Sequence, residues 1–231
     1  IQNEALRLCS GAFKTSPTLS LHVDTSVLPL EHHRNYVNLL HYVKLQHDIG
    51  NINYYRTFHS PHKAAKAFGS RCRSLLDKYE IELPSDADSG FNNRSLSNVI
   101  LPKIWQYFGN EWTLAPDTNR LRNLKPELGY WQIEFLPHRR DEVVLARVRI
   151  GHSLLTHGPY FSGITTPMCD YCHNARISIH HLINECPHHA LTRKEIFGNE
   201  ETSDDITMTD SQEATRKLLL FLKKSNMFSL L

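Results

Sequence analysis

Three cysteines and one histidine, Cys169, Cys172, His181 and Cys186, carry the clearest chemistry in this chain. They read C-x2-C-x8-H-x4-C, and three soft thiolates with one imidazole are the ligand set of a tetrahedral zinc ion. Zinc–sulfur bonds of roughly 2.3 Å and zinc–nitrogen bonds of roughly 2.0–2.1 Å would close such a centre. Four protein ligands leave no position for water, so the expected ion is structural Zn2+ and not the source of a bound hydroxide. Cys169 and Cys172 suit a tight turn around Asp170 and Tyr171, and a helical turn running from His181 would bring Cys186 round toward a similar direction. His180 offers a second spacing, C-x7-H-x5-C, while His173 and His189 flank the window; His181 is the preferred ligand. The plain alternative is buried reduced thiols beside a surface histidine. Clustering of three of the five cysteines in one short segment favours the metal. A disulfide framework fits less well, because Cys9 and Cys72 stand far away and the total is odd.

A second constellation precedes the first. The stretch 138–157, HRRDEVVLARVRIGHSLLTH, places Arg139, Arg140, Arg147 and Arg149 around an apolar side of Val144, Leu145, Val148 and Ile150. Asp141 and Glu142 fit the positive end of a helix dipole there. Planar guanidinium forks at this density could track phosphates of RNA or DNA. They could equally be solvated charges, or pair with the two acids, on an ordinary amphipathic helix. Other catalytic sets are unconvincing: Ser153 with His157, and Ser178 near His180, are sequence neighbours only. Gly11, Gly50 and Gly69 are isolated and form no phosphate loop.

These groups must be positioned by a mainly α fold: helical segments joined by a polar linker, with a small zinc-bound knuckle that includes a short β-hairpin. The pattern predicts a helix over 1–12, with Ala5, Leu8 and Ala12 on one face, then a bend at 15–18. Pro29 opens a second helix with Leu30, Tyr36, Val37, Leu40, Tyr42 and Val43 at three- and four-residue steps. A third starts near Ser60-Pro61, with Cys72, Leu75 and Leu76 inward and Lys63, Lys66, Arg71, Arg73 and Lys78 outward. Residues 84–95, PSDADSGFNNRS, are turn-formers and read as a linker between a segment at 1–83 and a C-terminal region at 96–231. Helical pattern resumes from Leu96 to Trp112 despite Pro102, and Trp112, Trp131 and Phe135 read as core anchors. The knuckle occupies 166–190, helix returns at 188–198, and residues 210–225 close with Leu218, Leu219 and Leu222 inward and Lys217, Lys223 and Lys224 outward.

Composition adds modest bounds. The chain has 231 residues, 40% apolar and 22% charged, with a formal net charge of +2 that does not announce a nucleic-acid binder. No stretch approaches the roughly 20 apolar residues needed to cross a bilayer, so no membrane partner is expected. Reduced cysteines and the absence of a signal peptide suggest an intracellular protein, cytoplasmic or nuclear and not secreted. The opening Ile1-Gln-Asn-Glu-Ala suggests a piece of something longer.

Three segments together suggest a family: IQNEALRLCSGAFKTSP at 1–17, RRDEVVLARVRIGHSLLTHG at 139–158 and PMCDYCHNARISIHHLINECP at 167–187. In this order they resemble the C-terminal region of reverse transcriptases from non-LTR retrotransposons of the Jockey and I-element type. The resemblance covers most of the chain. It implies a thumb-like segment at 1–80, and a CCHC zinc knuckle at Cys169, Cys172, His181 and Cys186 that follows a basic helical segment holding Arg139, Arg140, Arg147 and Arg149. It also implies RNA or DNA, or the remaining domains of the parent enzyme, as partners.

The departures from the family matter as much. Its Tyr/Phe-Ala-Asp-Asp motif is absent, and the one Asp-Asp pair, Asp204-Asp205, lies in a polar Glu-Thr-Ser segment. No room remains for an RNase H domain. The expectation is a non-enzymatic, truncated or internally deleted relative that binds nucleic acid through a basic helix and a structural knuckle. The alternative is a zinc-stabilised helical module that contacts protein and no nucleic acid.

Overall fold

The structure, a computed structural model, describes residues 1–59, 67–83, 93–131, 136–198 and 211–231. In chain order these form α1 (Gln2–Ser10), α2 (Thr18–Thr25), α3 (Leu30–His47), α4 (Ile52–Phe58), α5 (Phe68–Lys78) and α6 (Asn93–Thr113). There follow α7 (Arg120–Leu124), α8 (Arg139–Ile150), α9 (Leu154–Phe161), α10 (Ala190–Phe197) and α11 (Gln212–Lys224). The fold is mainly helical, and the described residues contain no strand beyond one isolated β-bridge between Met168 and Arg176. None of the described helices is long and apolar enough to cross a membrane.

The chain divides into two compact units, residues 28–114 and residues 1–27 with 115–231. The polar stretch 84–95 therefore falls inside the first of these. Its positions 84–92 lie outside the described residues, and helix α6 already begins at Asn93. The N-terminal residues belong with the C-terminal unit because α1 and α2 pack on α8. At the end of α1, Gly11 has φ 69° and lies so close to Val143 that a Cβ there would stand 2.3 Å from a valine methyl. Only glycine accommodates both the left-handed backbone and that approach.

Unit 28–114 is built from α3, α4, α5 and α6. Leu96, Ile100, Ile104, Phe108 and Trp112 step along α6 at i+4 and are all but fully buried. Pro102 stands on the opposite, exposed side, so the carbonyl of Asn98 that loses its helical N–H partner lies on an exposed residue where water can serve it. The inward face of α3 differs from the sequence expectation. Leu30 and Val37 are exposed, and His32, Asn35, Leu39, Tyr42, Val43 and Leu45 face in. A polar network explains the rotation. His32 Nδ1 lies 2.9 Å from the Tyr79 hydroxyl, Asn35 donates to the same oxygen at 2.9 Å, and His32 Nε2 lies 2.8 Å from Glu111. Buried polar groups that find partners are tolerated, and here they set the helix register. The predicted start of the third helix at Ser60-Pro61 lies outside the described residues; the helix observed downstream runs from Phe68, with Cys72 buried.

In the other unit α8 is central. Asp141, Val144, Leu145, Ala146, Val148, Arg149 and Ile150 are all buried, so apolar residues and charges alike are enclosed. The helix stops at Gly151 with φ 85°, and α9 begins afresh under a capping box of Ser153 and Thr156. In α1 the inward residue is Leu6, and Leu8 is exposed, against the face drawn from sequence. Helix α11 follows expectation: Leu218, Leu219 and Leu222 are buried while Lys217, Lys223 and Lys224 are outside. Trp112 is a fully buried anchor of its unit, Trp131 is half-buried against Asp24, and Phe135 lies outside the described residues.

Candidate metal centre

A hairpin and a wide helical turn bring the four predicted ligands together. The hairpin is closed by Ile177 N–H to Pro167 O (3.0 Å) and Cys169 N–H to Ala175 O (2.8 Å), which places Cys169 and Cys172 in its tip. His173, at φ 57°, reverses the chain there and donates its N–H to the Cys169 carbonyl at 2.9 Å. Ser178 Oγ then accepts the His181 N–H at 3.0 Å and starts the second element. Residues His181–Glu185 form a π-helical turn, sealed by Cys186 N–H to His181 O at 2.7 Å. Five residues along an ordinary α-helix leave two side chains about 140° apart. The i+5 bonding of a π turn corrects that divergence and turns Cys186 toward the His181 ring.

One donor atom from each of Cys169, Cys172, His181 and Cys186 lies within 4.8 Å of every other. The Cys169 and Cys186 sulfurs are 3.9 Å apart, and Cys172 Sγ is 3.2 Å from His181 Nε2. A tetrahedron with bonds of roughly 2.3 Å has edges of about 3.8 Å, so the cluster is already near the size a metal needs. Between the two spaced histidines the geometry selects His181, which is buried with Nε2 turned inward. His180 is exposed and meets Glu185 at 3.1 Å. His173 sits on the outer turn, and His189 is buried edge-on against Tyr171.

Sulfur charge is stabilised by the backbone. The Asn174 N–H donates to Cys172 and the His188 N–H to Cys186, each two residues past its cysteine. The Asn174 bond is the main cause that draws the Cys172 thiol down to about 7. Burial pushes the Cys186 thiol up to about 11. A buried thiol of that kind becomes a thiolate only beside a cation, which is what a bound metal ion supplies.

Two supporting residues were not found from sequence. Glu185 Oε2 lies 3.4 Å from His181 Nδ1, the carboxylate–histidine arrangement that fixes the tautomer of a ligating imidazole. Arg193 of α10 donates to the carbonyls of Ile183 (2.8 Å) and Cys186 (3.0 Å), gripping the turn from behind. The i, i+4 placement of Glu185 after His181 was the available signal for the first; the second is a tertiary contact with no sequence signature. Glu185→Gln should weaken metal affinity by about 10–100-fold. Competition against a chelator measures this, and unaltered affinity would remove Glu185 from the support of the centre.

Of the α8 arginines, Arg139, Arg140 and Arg147 reach the end of α1 and the C-terminal residues, whereas Arg149 is buried. Arg139 pairs with Glu142 at 3.0 Å and reaches the carbonyls of Leu8 and Cys9 at the end of α1. Arg140 donates to the Phe228 and Ser229 carbonyls at 3.1 and 3.2 Å and lies over the Phe228 ring. Arg147 donates Nε to Gly11 O at 2.8 Å and another N–H to Leu231 O. Arg149 is buried against Asp24 and the face of Trp131. Their guanidinium groups tie α8 to the end of α1, to the C-terminal residues and to Asp24.

The described residues thus define a mainly helical protein with a Cys3His cluster able to hold a metal ion. Compared with protein-family models, curated proteins and solved structures, the chain matches none.

Proposed function

We propose that this chain is a zinc-clamped helical module whose Cys3His centre is structural, and that it corresponds to the non-catalytic C-terminal region of a non-LTR retrotransposon reverse transcriptase. The convergence of four donor atoms within 4.8 Å carries the first part. The three motifs quoted above carry the second. Zinc is preferred over other ions because three thiolates and an imidazole suit it, and among the described residues the cluster holds no fifth donor. The clamp joins the hairpin to α8 and α11, since Cys169 and Cys186 share one buried core with Val144, Val148, Leu218 and Phe221.

The arginines of α8 serve this architecture by satisfying carbonyls, which favours a protein-contacting module over phosphate tracking by that helix. Metal analysis and cobalt replacement test the proposal. The expected result is one zinc per chain, and a Co2+ form with tetrahedral, thiolate-rich absorption. An octahedral spectrum, or protein folded without metal, would end it. Exposure of Arg139 and Arg140 keeps a second reading in view. Single-stranded RNA binding that falls steeply with salt, and is reduced in Arg140→Ala, would return nucleic acid to this surface.

A further inference from the structure

The three thiols of the metal centre are unequally placed. Cys169 and Cys186 are 0% exposed, whereas Cys172, at the hairpin tip, is only half-buried. A peroxide arriving from solvent therefore meets Cys172 first. Cysteine binds a metal as the thiolate, and the thiolate is also the form that a peroxide oxidises. Two further sulfurs stand behind Cys172. All donor atoms of the cluster lie within 4.8 Å of one another, and the Cys169 and Cys186 sulfurs are 3.9 Å apart. Bringing Cys172 to disulfide contact with either one asks for a shift of about 3 Å or less. That shift falls on the turn at 170–174, outside any helix or strand.

We infer that the Cys3His centre is a reversible redox switch, in which a peroxide oxidises Cys172 and a disulfide from Cys172 to Cys169 or Cys186 then releases the metal. The inference rests on the zinc clamp proposed above. In the first step the Cys172 sulfur attacks one peroxide oxygen. An S–O bond forms, the O–O bond breaks, and hydroxide leaves, so that Cys172 becomes a sulfenic acid. In the second step the sulfur of Cys169 or Cys186 attacks the Cys172 sulfur. The S–S bond forms, the S–O bond breaks, and a second hydroxide leaves. Two thiolates have lost one electron each, one peroxide has gained two, and solvent protons convert both hydroxides to water.

The second step is intramolecular, whereas further oxidation of the sulfenic acid needs another peroxide from solvent. Proximity therefore favours the disulfide. Two of the four ligands are then spent, and one thiolate with one imidazole is too few for a structural zinc site. Because Cys169 and Cys186 share a core with Val144, Val148, Leu218 and Phe221, oxidation also loosens the packing on α8 and α11. A thiol reductant restores the ligands by attacking the disulfide. Cys9, exposed on α1, and Cys72, buried in unit 28–114, lie outside the cluster and serve as internal references.

The zinc-loaded full chain should be treated with hydrogen peroxide while a chromogenic chelator reports released zinc. Parallel samples are trapped with dimedone and mapped by mass spectrometry. Dimedone should mark Cys172 before Cys169 or Cys186. One zinc should leave per Cys172 disulfide formed, and dithiothreitol with added zinc should restore the metal. Cys172→His keeps four zinc donors and removes the accessible sulfur, so it should slow release by about tenfold or more. If that variant does not take up zinc, the order of labelling in the parent chain decides. Three results overturn the inference: zinc retained while Cys9 is fully oxidised, zinc lost with the cluster sulfurs taken to sulfinic acid and no disulfide, or labelling of a buried cysteine ahead of Cys172. Zinc content is read before peroxide is added. A folded chain that never holds zinc defeats the clamp, whereas a zinc-loaded chain that keeps its metal under peroxide defeats the switch alone.

Discussion

Cys172→Ser should abolish stoichiometric zinc and unfold the region from Pro167 to α11. A serine hydroxyl stays protonated at neutral pH and cannot replace a thiolate whose sulfur is already tuned for charge by the Asn174 N–H. The magnitude follows from comparing two scales. Structural zinc contributes roughly 10–16 kcal/mol of apparent binding free energy, while a whole domain is stable by only about 5–15 kcal/mol. Losing even part of the former is comparable to the entire margin. The damage has a defined route, because Cys169, Cys186, Ile177, Ile179, Leu182 and Ile183 are core residues shared with α8 and α11. Without the ion their backbone keeps only short elements, a β-bridge, a π turn and the side-chain bonds of Ser178 and Arg193. Hydrogen exchange should show protection lost across 167–189 and α11 and kept in α3 and α6, whose core is drawn from residues 28–114. A mutant that retains metal contradicts the ligand assignment. One that loses metal but keeps protection contradicts the clamp.

The Cys3His cluster was legible because metal binding restricts residue type and spacing at once. Cys169, Cys172, His181 and Cys186 could be read without any knowledge of the fold. What spacing could not supply was the reason His181 and not His180 turns inward. That depends on the Ser178 cap, the π turn and Glu185, which are geometric and not compositional. Helix existence was readable where apolar periodicity was strong, as in α6 and α11. Helix facing was less so. For α3 the apolar pattern pointed to Leu30 and Val37, yet His32 and Asn35 went inward because Tyr79 and Glu111, distant in sequence, supplied their partners. For the arginines of α8 the sequence showed the charges and not the carbonyls they meet. Arg147 donates to Gly11 and Arg140 to Phe228 and Ser229, partners that are distant in sequence and leave no local signature.

Arg149→Met should be the costliest single change away from the metal, destabilising by about 3–5 kcal/mol at neutral pH. Arg149 NH1 stands 3.7 Å from Asp24 Oδ1, with side chains only 10% and 6% exposed. The guanidinium lies 4.0 Å above the Trp131 ring, and Trp131 donates its indole N–H to Asp24 at 3.0 Å. Burial is the largest influence on both partners. It raises the Asp24 carboxyl above its ordinary range and lowers Arg149, so the pair holds its charges against a desolvation cost that their attraction does not fully offset. Methionine would fill much of the arginine volume and leave Asp24 with the indole N–H and the more distant Lys125. The sign of the pH dependence follows. An acid whose folded value lies above its unfolded one gives stability that is present below the unfolded value and is lost as pH rises through the folded value. Removing Arg149 raises the folded value further, so the deficit of the mutant against wild type should be largest near pH 7 and smaller near about pH 5.5. Asp24→Asn combined with Arg149→Met removes the stranded charge and keeps an acceptor for Trp131, and should recover most of the loss. Denaturant unfolding of the two single variants and the double variant at both pH values measures the coupling. A single-variant loss below about 1 kcal/mol, or a double variant no more stable than Arg149→Met, would show that the buried pair does not govern the packing of α8 as its geometry indicates.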